Sequence, residues 1–139
     1  MKRHCKKVIS AIVLAASLCT SIPVQAATEE FNFYMDYGKA KIGFDAIKAG
    51  GTSFETIYYV RQEKTAISPG GNGRMYYNSC YNGSIVSNTL TLRADDFNRH
   101  YYDYYSNAAK AGRTYQLRAN FAVTSGGANF LHTYGFWTP

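Results

Sequence analysis

Hydrophobic and polar residues alternate along much of the chain, most clearly over residues 31–37. Every second residue there is apolar or aromatic, and Asn32 and Asp36 fall between them. Successive side chains of an extended strand point to opposite faces, so this period of two predicts a strand with one buried face. Similar patterns predict six more strands, at residues 40–47, 54–60, 75–81, 84–94, 114–124 and 130–137.

The segments between these strands are rich in residues that favour turns. Residues 68–73 combine a proline of fixed φ with residues that accept positive φ, and Asn82-Gly83 is a tight hairpin signal. Glycine pairs at 50–51 and 126–127 separate other strands. About seven short strands without strand–helix–strand alternation predict an all-β fold, an antiparallel β-sandwich.

Residues 95–112 depart from the period of two. Phe97, Tyr101, Tyr104 and Ala108 recur at a spacing of three to four, an Asp-Asp pair precedes them and a glycine ends the segment. This spacing predicts one short helix near residues 96–110. Tyrosine, asparagine and histidine are mediocre helix formers, so an irregular aromatic loop is a competing interpretation.

The first 26 residues have the features of a secretory signal peptide. A basic start is followed by an apolar run over residues 8–18 and by a small-x-small pattern that ends at Ala26. The run is shorter than the ~20 residues that cross a hydrocarbon core. We therefore expect cleavage after Ala26, secretion to the extracellular medium, and a single domain over residues 27–139.

Charge and composition beyond residue 26 narrow the partners of the chain. This part carries eleven basic and nine acidic residues, a net charge of +2, with no clustered basic patch. Proteins that bind nucleic acid usually carry a clustered basic patch, which this distribution lacks. We therefore exclude nucleic acid as a partner. All 13 tyrosines, all 8 phenylalanines and the single tryptophan lie in this part. Core filling in a small β protein accounts for many of them, and exposed rings would form a binding surface.

One cysteine and two histidines remain after residue 26. Cys80 has no base or cation close to it in sequence, which favours a buried thiol, and His100 and His132 are far apart along the chain. An extracellular thiol hydrolase that pairs Cys80 with either histidine is an alternative function.

We expect neither a metal nor a cofactor. The aspartates at 95, 96 and 103 lack the spacing of an EF-hand loop, and the glycines at 70–73 are not followed by Gly-Lys-Ser/Thr. Helix capping and a hairpin loop are simpler explanations of these residues.

A cluster of aromatic residues is the best candidate for a binding site. Exposed rings stack on sugar faces or enter the interface of a bilayer. We expect the contact residues to be Tyr101, Tyr102, Tyr104, Tyr105 and Trp137, with Arg118 as a polar anchor.

Three short motifs in the last third of the chain resemble a group of small secreted proteins of Gram-positive bacteria related to lactococcin-like bacteriocins. The matching motifs are Tyr101-Tyr102-x-x-Tyr105-x-x-Ala108, Leu117-Arg118-Ala119-x-Phe121 and Gly135-x-Trp137. The chain departs from that pattern at Asn120-Phe121-Ala122 and at its closing Thr138-Pro139. The resemblance implies a compact β-sandwich with envelope-associated or antagonistic activity, and it implies no catalytic residue.

The leading hypothesis is a secreted, non-enzymatic, bacteriocin-like protein that binds a bacterial envelope component, either a cell-wall glycan or a membrane surface. The alternatives are the thiol hydrolase and a matrix protein that self-assembles through exposed edge strands.

Overall fold

The structure, a computed structural model, describes residues 27–48, 56–68, 72–125 and 130–139. The proposed signal peptide and the predicted glycine turns at 50–51 and 126–127 lie outside these ranges, as do residues 69–71 of the predicted loop. Nine strands occur in the described ranges, and none of these residues is helical. The strands are β1 (Glu29–Asp36), β2 (Lys41–Ile47), β3 (Ile57–Ser68), β4 (Asn72–Tyr81), β5 (Ser84–Ile85), β6 (Leu90–Arg93), β7 (Arg99–Asp103), β8 (Thr114–Ser125) and β9 (Phe130–Thr138).

The strands form two antiparallel sheets. One has four strands in the order β1-β9-β3-β7. The other has five strands, in which β2, β8 and β4 are neighbours and the short β5 and β6 both pair with the free side of β4. The predicted class, an all-β antiparallel sandwich, is confirmed.

The core lies between the inner faces of the two sheets, and the alternation of each strand supplies it. In β1, Phe31, Phe33 and Met35 are buried while their neighbours are exposed. In β8, Tyr115 and Leu117 follow the same rule. Burial of each large apolar side chain contributes about 1.5–3 kcal/mol relative to exposure. The sheets are therefore held together by the side chains that the predicted period of two places on the inner faces.

Polar groups also connect the sheets through the core. The Tyr58 hydroxyl of β3 lies 2.8 Å from the Tyr77 carbonyl oxygen of β4 and accepts a hydrogen bond from the Leu90 amide at 3.1 Å. The Gln62 amide donates to the Arg93 and Asp96 carbonyl oxygens, and its oxygen accepts from the Tyr77 hydroxyl. Burial raises the pKa of Tyr58, so its hydroxyl stays protonated and can donate.

The predicted helix near residues 96–110 is wrong. Residues 99–103 form β7, which pairs with Ile57–Arg61 of β3. Asp96 does not cap a helix: its carboxylate accepts from the Asn98 amide and binds the His100 ring. Residues 99–103 are weak helix formers, and the edge of β3 offers their backbone a full set of hydrogen-bond partners. Strand pairing is therefore more favourable for this segment than the helix that its three-to-four spacing predicts.

Two other strands differ from the predicted ranges. The stretch at 84–94 is broken into β5 and β6 because Ser87–Thr89 follow an irregular path, with the Ser87 hydroxyl accepting from the Ser79 amide. β3 continues past the predicted end at residue 60 to Ser68, with a register shift between Gln62 and Lys64.

The edge of β3 that β7 leaves uncovered carries charge. β7 pairs with Ile57–Arg61 only, so residues 63–68 have no strand on that side within the described part of the chain. Glu63, Lys64 and the register shift lie at the start of this open edge. Bulges and charges of this kind discourage pairing with a second chain. In the ranges that the structure describes, no helix is long and apolar enough to cross a membrane.

Replacing Gly135 with alanine is expected to destabilise the fold. A Cβ at this position would overlap the Arg61 carbonyl oxygen and lie 2.9 Å from the Phe31 ring, and the backbone atom cannot move without breaking the β3–β9 pairing. We expect Gly135→Ala to lower the free energy of unfolding by about 3 kcal/mol in a urea titration. Gly43→Ala is the matched control: nothing lies within 4 Å of its Cβ, so a change of less than about 0.5 kcal/mol is expected. Equal effects of the two changes would contradict the close approach at Gly135.

Removing the Tyr58 hydroxyl tests the polar contact between the sheets. Tyr58→Phe leaves the Leu90 amide and the Tyr77 carbonyl oxygen without this partner inside the core. We expect a loss of about 1–3 kcal/mol in unfolding free energy, measured by urea titration. Tyr105→Phe removes an exposed hydroxyl and should change stability little. If the two variants were equally stable, the Tyr58 hydrogen bonds would contribute nothing to the fold.

Candidate ligand-binding face

The outer face of the four-stranded sheet is lined with rings. Side chains alternate between the two sides of a strand. In β1, β3 and β9 every second residue is buried in the core, so the residues between them point to the outer face. Each of the four strands of this sheet contributes at least one ring to the outward side. We call this surface the aromatic face, and it consists of Tyr34, Tyr59, Tyr101, Phe130, His132, Tyr134 and Phe136.

One end of the aromatic face is organised around His132. Its ring stacks on Tyr34 with centroids 4.0 Å apart and an interplanar angle of 8°. Its Nε2 atom lies 2.7 Å from the Asn32 side-chain oxygen, and Tyr34 also contacts Phe130 at 6.0 Å. The stacked rings and the hydrogen bond hold these side chains in one orientation. Less side-chain entropy is then lost when a ligand binds to them.

The other end of the aromatic face contains two arginines. The Arg99 guanidinium carbon lies 4.0 Å from the centroid of the Tyr59 ring, and the Arg61 guanidinium carbon lies 5.4 Å from that of Phe136. Tyr59 also contacts Tyr101, with centroids 6.0 Å apart. Cation–π contacts of this type fix both the ring and the guanidinium.

A cleft of about 260 Å³ opens between these side chains. We call it the arginine cleft, and Thr28, Tyr59, Arg61, Arg99, Phe136, Trp137 and Thr138 line it. Its position at the β7 end of the aromatic face joins a polar, cationic pocket to a row of rings. Such a combination of apolar lining and a few fixed polar groups is typical of small ligand sites.

The structure separates the tyrosines that the sequence placed in one contact cluster. Tyr101 is 65% exposed and belongs to the aromatic face. Tyr102 is exposed as well, but it pairs with Tyr58 and points to the opposite side of the sheet. Tyr105 is exposed in the turn that follows, where its amide donates to the Val86 carbonyl oxygen. Only one of these three residues therefore lies on the aromatic face.

The prediction that Tyr104 and Trp137 are contact residues is wrong, because both side chains are buried. Tyr104 is 6% exposed, its hydroxyl is 2.9 Å from the Ser79 hydroxyl, and the Lys48 ammonium lies 4.6 Å from its ring centroid. Trp137 is 1% exposed and belongs to the hydrophobic core. Both rings pack in the hydrophobic core, and Trp137 contributes to the arginine cleft only as part of its buried wall.

Arg118 does not join the aromatic face either. It lies on β8 in the five-stranded sheet, and its Nη1 atom donates to the Asn78 side-chain oxygen at 3.2 Å. The two sheets present their outer faces in opposite directions, so Arg118 and Tyr101 cannot contact the same small ligand. Its interaction with Asn78 gives it a structural role.

Sequence reasoning missed most of the aromatic face and both arginines of the cleft. The alternation of residues 130–137 already places four rings on one side of the strand: Phe130, His132, Tyr134 and Phe136. What the sequence lacks is the order of the strands, which brings Arg99 of β7 opposite Arg61 of β3.

The structure places Cys80 and the two histidines apart. Cys80 is fully buried in β4 of the five-stranded sheet, whereas His132 lies on the outer face of the other sheet. His100 binds the Asp96 carboxylate, a contact that lowers the pKa of Asp96. Burial raises the pKa of the Cys80 thiol, and the charge of Arg118 only partly offsets that effect. A protonated, enclosed thiol remote from both rings is a poor nucleophile.

Among the described residues, no three His, Cys, Asp or Glu side chains come together in a group that could hold a metal ion. Comparison of the chain with protein-family models, curated proteins and solved structures returned no match. The aromatic face is thus the candidate functional site of this antiparallel β-sandwich.

The environment of Cys80 predicts slow alkylation in the folded protein. In a chain with Cys5 and Cys19 replaced by serine, we expect the thiol to react with iodoacetamide about 100-fold or more slowly when folded than in guanidinium chloride. The raised pKa also moves the onset of any native reaction to higher pH than for a free thiol, because less thiolate is present at a given pH. Reaction at the rate of a free thiol near pH 7 would contradict this burial and favour the thiol hydrolase.

Proposed function

We propose that this chain is a secreted, non-enzymatic protein that binds a polysaccharide of the bacterial envelope through its aromatic face. The observation that carries the proposal is the set of seven rings on one outer sheet face, two of them fixed by stacking on each other. The signal peptide features support export, and the resemblance to lactococcin-like proteins supports an envelope target.

Polysaccharide fits the chemistry of the face better than a purely apolar ligand. Tyrosine combines a flat ring with a hydroxyl, so it stacks on the C–H face of a sugar and hydrogen-bonds to its edge. Asn32 and Thr138 lie on the same face between the rings, where they add polar groups next to the stacking surfaces. Rings held by cross-strand contacts bind with little loss of side-chain freedom.

Acidic residues on the aromatic face oppose insertion into a bilayer. Glu30 is opposite Phe136 and Asp36 is opposite Phe130 in the β1–β9 pairing, and both carboxylates are exposed. A carboxylate that entered the hydrocarbon region with the neighbouring ring would lose its hydration, which costs several kcal/mol. These carboxylates remain hydrated when the rings bind a sugar polymer in water.

The open edge of β3 and the buried thiol give less support to the two alternatives. Glu63, Lys64 and the register shift on the open edge of β3 work against assembly of a matrix through strand pairing. Cys80 has a raised pKa and lies in a different sheet from either histidine, which works against a thiol hydrolase.

Loss of two rings from the aromatic face is expected to weaken binding to isolated Gram-positive cell walls. The variant Tyr101→Ala/Tyr134→Ala removes exposed rings at separate points of the face, and each stacking contact contributes about 0.5–1.5 kcal/mol. We therefore expect the dissociation constant, measured by co-sedimentation, to rise about tenfold or more. Tyr105→Ala is the control, because it removes a ring away from this face whose exposed fraction, 48%, lies between those of Tyr134 and Tyr101, 38% and 65%.

Retention of wild-type affinity by the double variant would contradict the aromatic face as the binding surface. A wild-type protein that stays wholly in solution with walls would refute the proposal itself. Titration onto growing cells, with bound protein and viability followed together, separates two forms of the function. Binding with loss of viability indicates a bacteriocin-like factor, and binding alone indicates a wall-binding protein.

A further inference from the structure

The arginine cleft contains two like charges on directly opposed residues. Arg99 of β7 and Arg61 of β3 are partners in the antiparallel pairing, and Phe136 of β9 is the next residue across the sheet. Directly opposed residues of antiparallel strands point to the same face, with Cβ atoms about 4.5–5.5 Å apart. Like charges in such a pair destabilise a sheet, so this arrangement needs a compensating interaction.

The compensation within the chain is incomplete. Glu63 forms an ion pair with Arg61, and the Arg61 guanidinium also lies over Phe136. Arg99 lies over the Tyr59 ring, and it has no ion pair with a carboxylate within the described part of the chain. A cation–π contact uses the face of the guanidinium and leaves its N–H groups available around the edge.

We propose that the arginine cleft binds an acidic sugar, a pyranose residue that carries a carboxylate, with Arg99 as the main anchor for the charge. This inference rests on the proposed function and specifies its ligand. A carboxylate matches the planar fork of a guanidinium and accepts two parallel hydrogen bonds from it. The same anion would relieve the repulsion between Arg99 and Arg61.

The rings around the arginines argue for a sugar that bears the charge on its own ring. Tyr59 and Tyr101 are neighbours at 6.0 Å on the same face, and Phe136 lines the cleft. A polymer of acyclic polyol phosphates supplies negative charge but offers no ring face to these side chains. The volume of about 260 Å³ is below the range of drug-sized pockets and suits one monosaccharide residue.

Polygalacturonate and its fully methyl-esterified form provide matched probes, because the ester removes the charge and keeps the sugar ring. In calorimetric titrations of the whole protein at low salt, we expect at least tenfold tighter binding of the acid form. Arg99→Gln should abolish that preference, because the acid form loses its charge partner and the ester form does not. Arg99→Lys, which keeps the charge without the planar fork, should retain part of the preference.

Arg74→Gln is the control for loss of one exposed arginine, since Arg74 lies on β4 in the other sheet and lines no part of the cleft. We expect it to keep the wild-type preference for the acid form. Thermal unfolding of each variant verifies that the fold is retained.

Inorganic polyphosphate distinguishes the two sources of negative charge. Weaker binding of polyphosphate than of polygalacturonate, per anionic group, is expected because polyphosphate lacks a ring. Equal or tighter binding of polyphosphate would overturn the acidic sugar as the ligand. Equal affinity for the acid and ester forms by a protein that still binds cell walls would refute this inference and leave the proposed function standing. Failure to bind walls and both polymers would refute the two together.

Discussion

The hydrogen bonds of the Tyr58 hydroxyl fix how the two sheets face each other, and the aromatic face depends on that relation. Burying a hydroxyl without a partner costs a few kcal/mol, so Tyr58 is stable inside the core only where the Tyr77 carbonyl oxygen and the Leu90 amide meet it. Gln62, four residues further along β3, also needs partners in the core, and it finds them in the Tyr77 hydroxyl and the Arg93 carbonyl oxygen. A shift of β3 by one residue would leave all of these groups unpaired. These hydrogen bonds therefore require that Tyr58 and Gln62 point into the core.

The same constraint sets the outward direction of the residues between them. Tyr59 and Arg61 alternate with Tyr58, Val60 and Gln62, so each buried contact of β3 presents a neighbouring side chain to solvent on the aromatic face. Core and candidate site are thus encoded by interleaved positions of one strand. Aromatic residues serve both, and the distinction between them lies in parity alone.

This interleaving explains how much the sequence could predict. The period of two in residues 31–37 and 114–124 identifies strands and their buried sides, and the all-β sandwich follows from repeating that pattern with turn signals between. The spacing around Tyr101 and Tyr104 predicts a helix because tyrosines are so frequent in this segment that both a helical and a strand period fit it. Local spacing also grouped Tyr104 with Tyr101, although the pairing of β7 with β3 exposes one, and the bridge between Ser87 and Tyr104 buries the other. The opposed arginines depend on strand order, which no local pattern carries.

The arginine cleft is assembled from segments that are distant along the chain. Its lining comes from residue 28, from β3, from β7 and from the end of β9, so more than a hundred residues separate the first contributor from the last. None of these segments alone holds the opposed guanidiniums, and the cleft exists only after the long-range pairing is complete. The cleft is therefore a property of the assembled four-stranded sheet and not of any one segment, so a fragment that lacks β7 or the end of β9 cannot contain it.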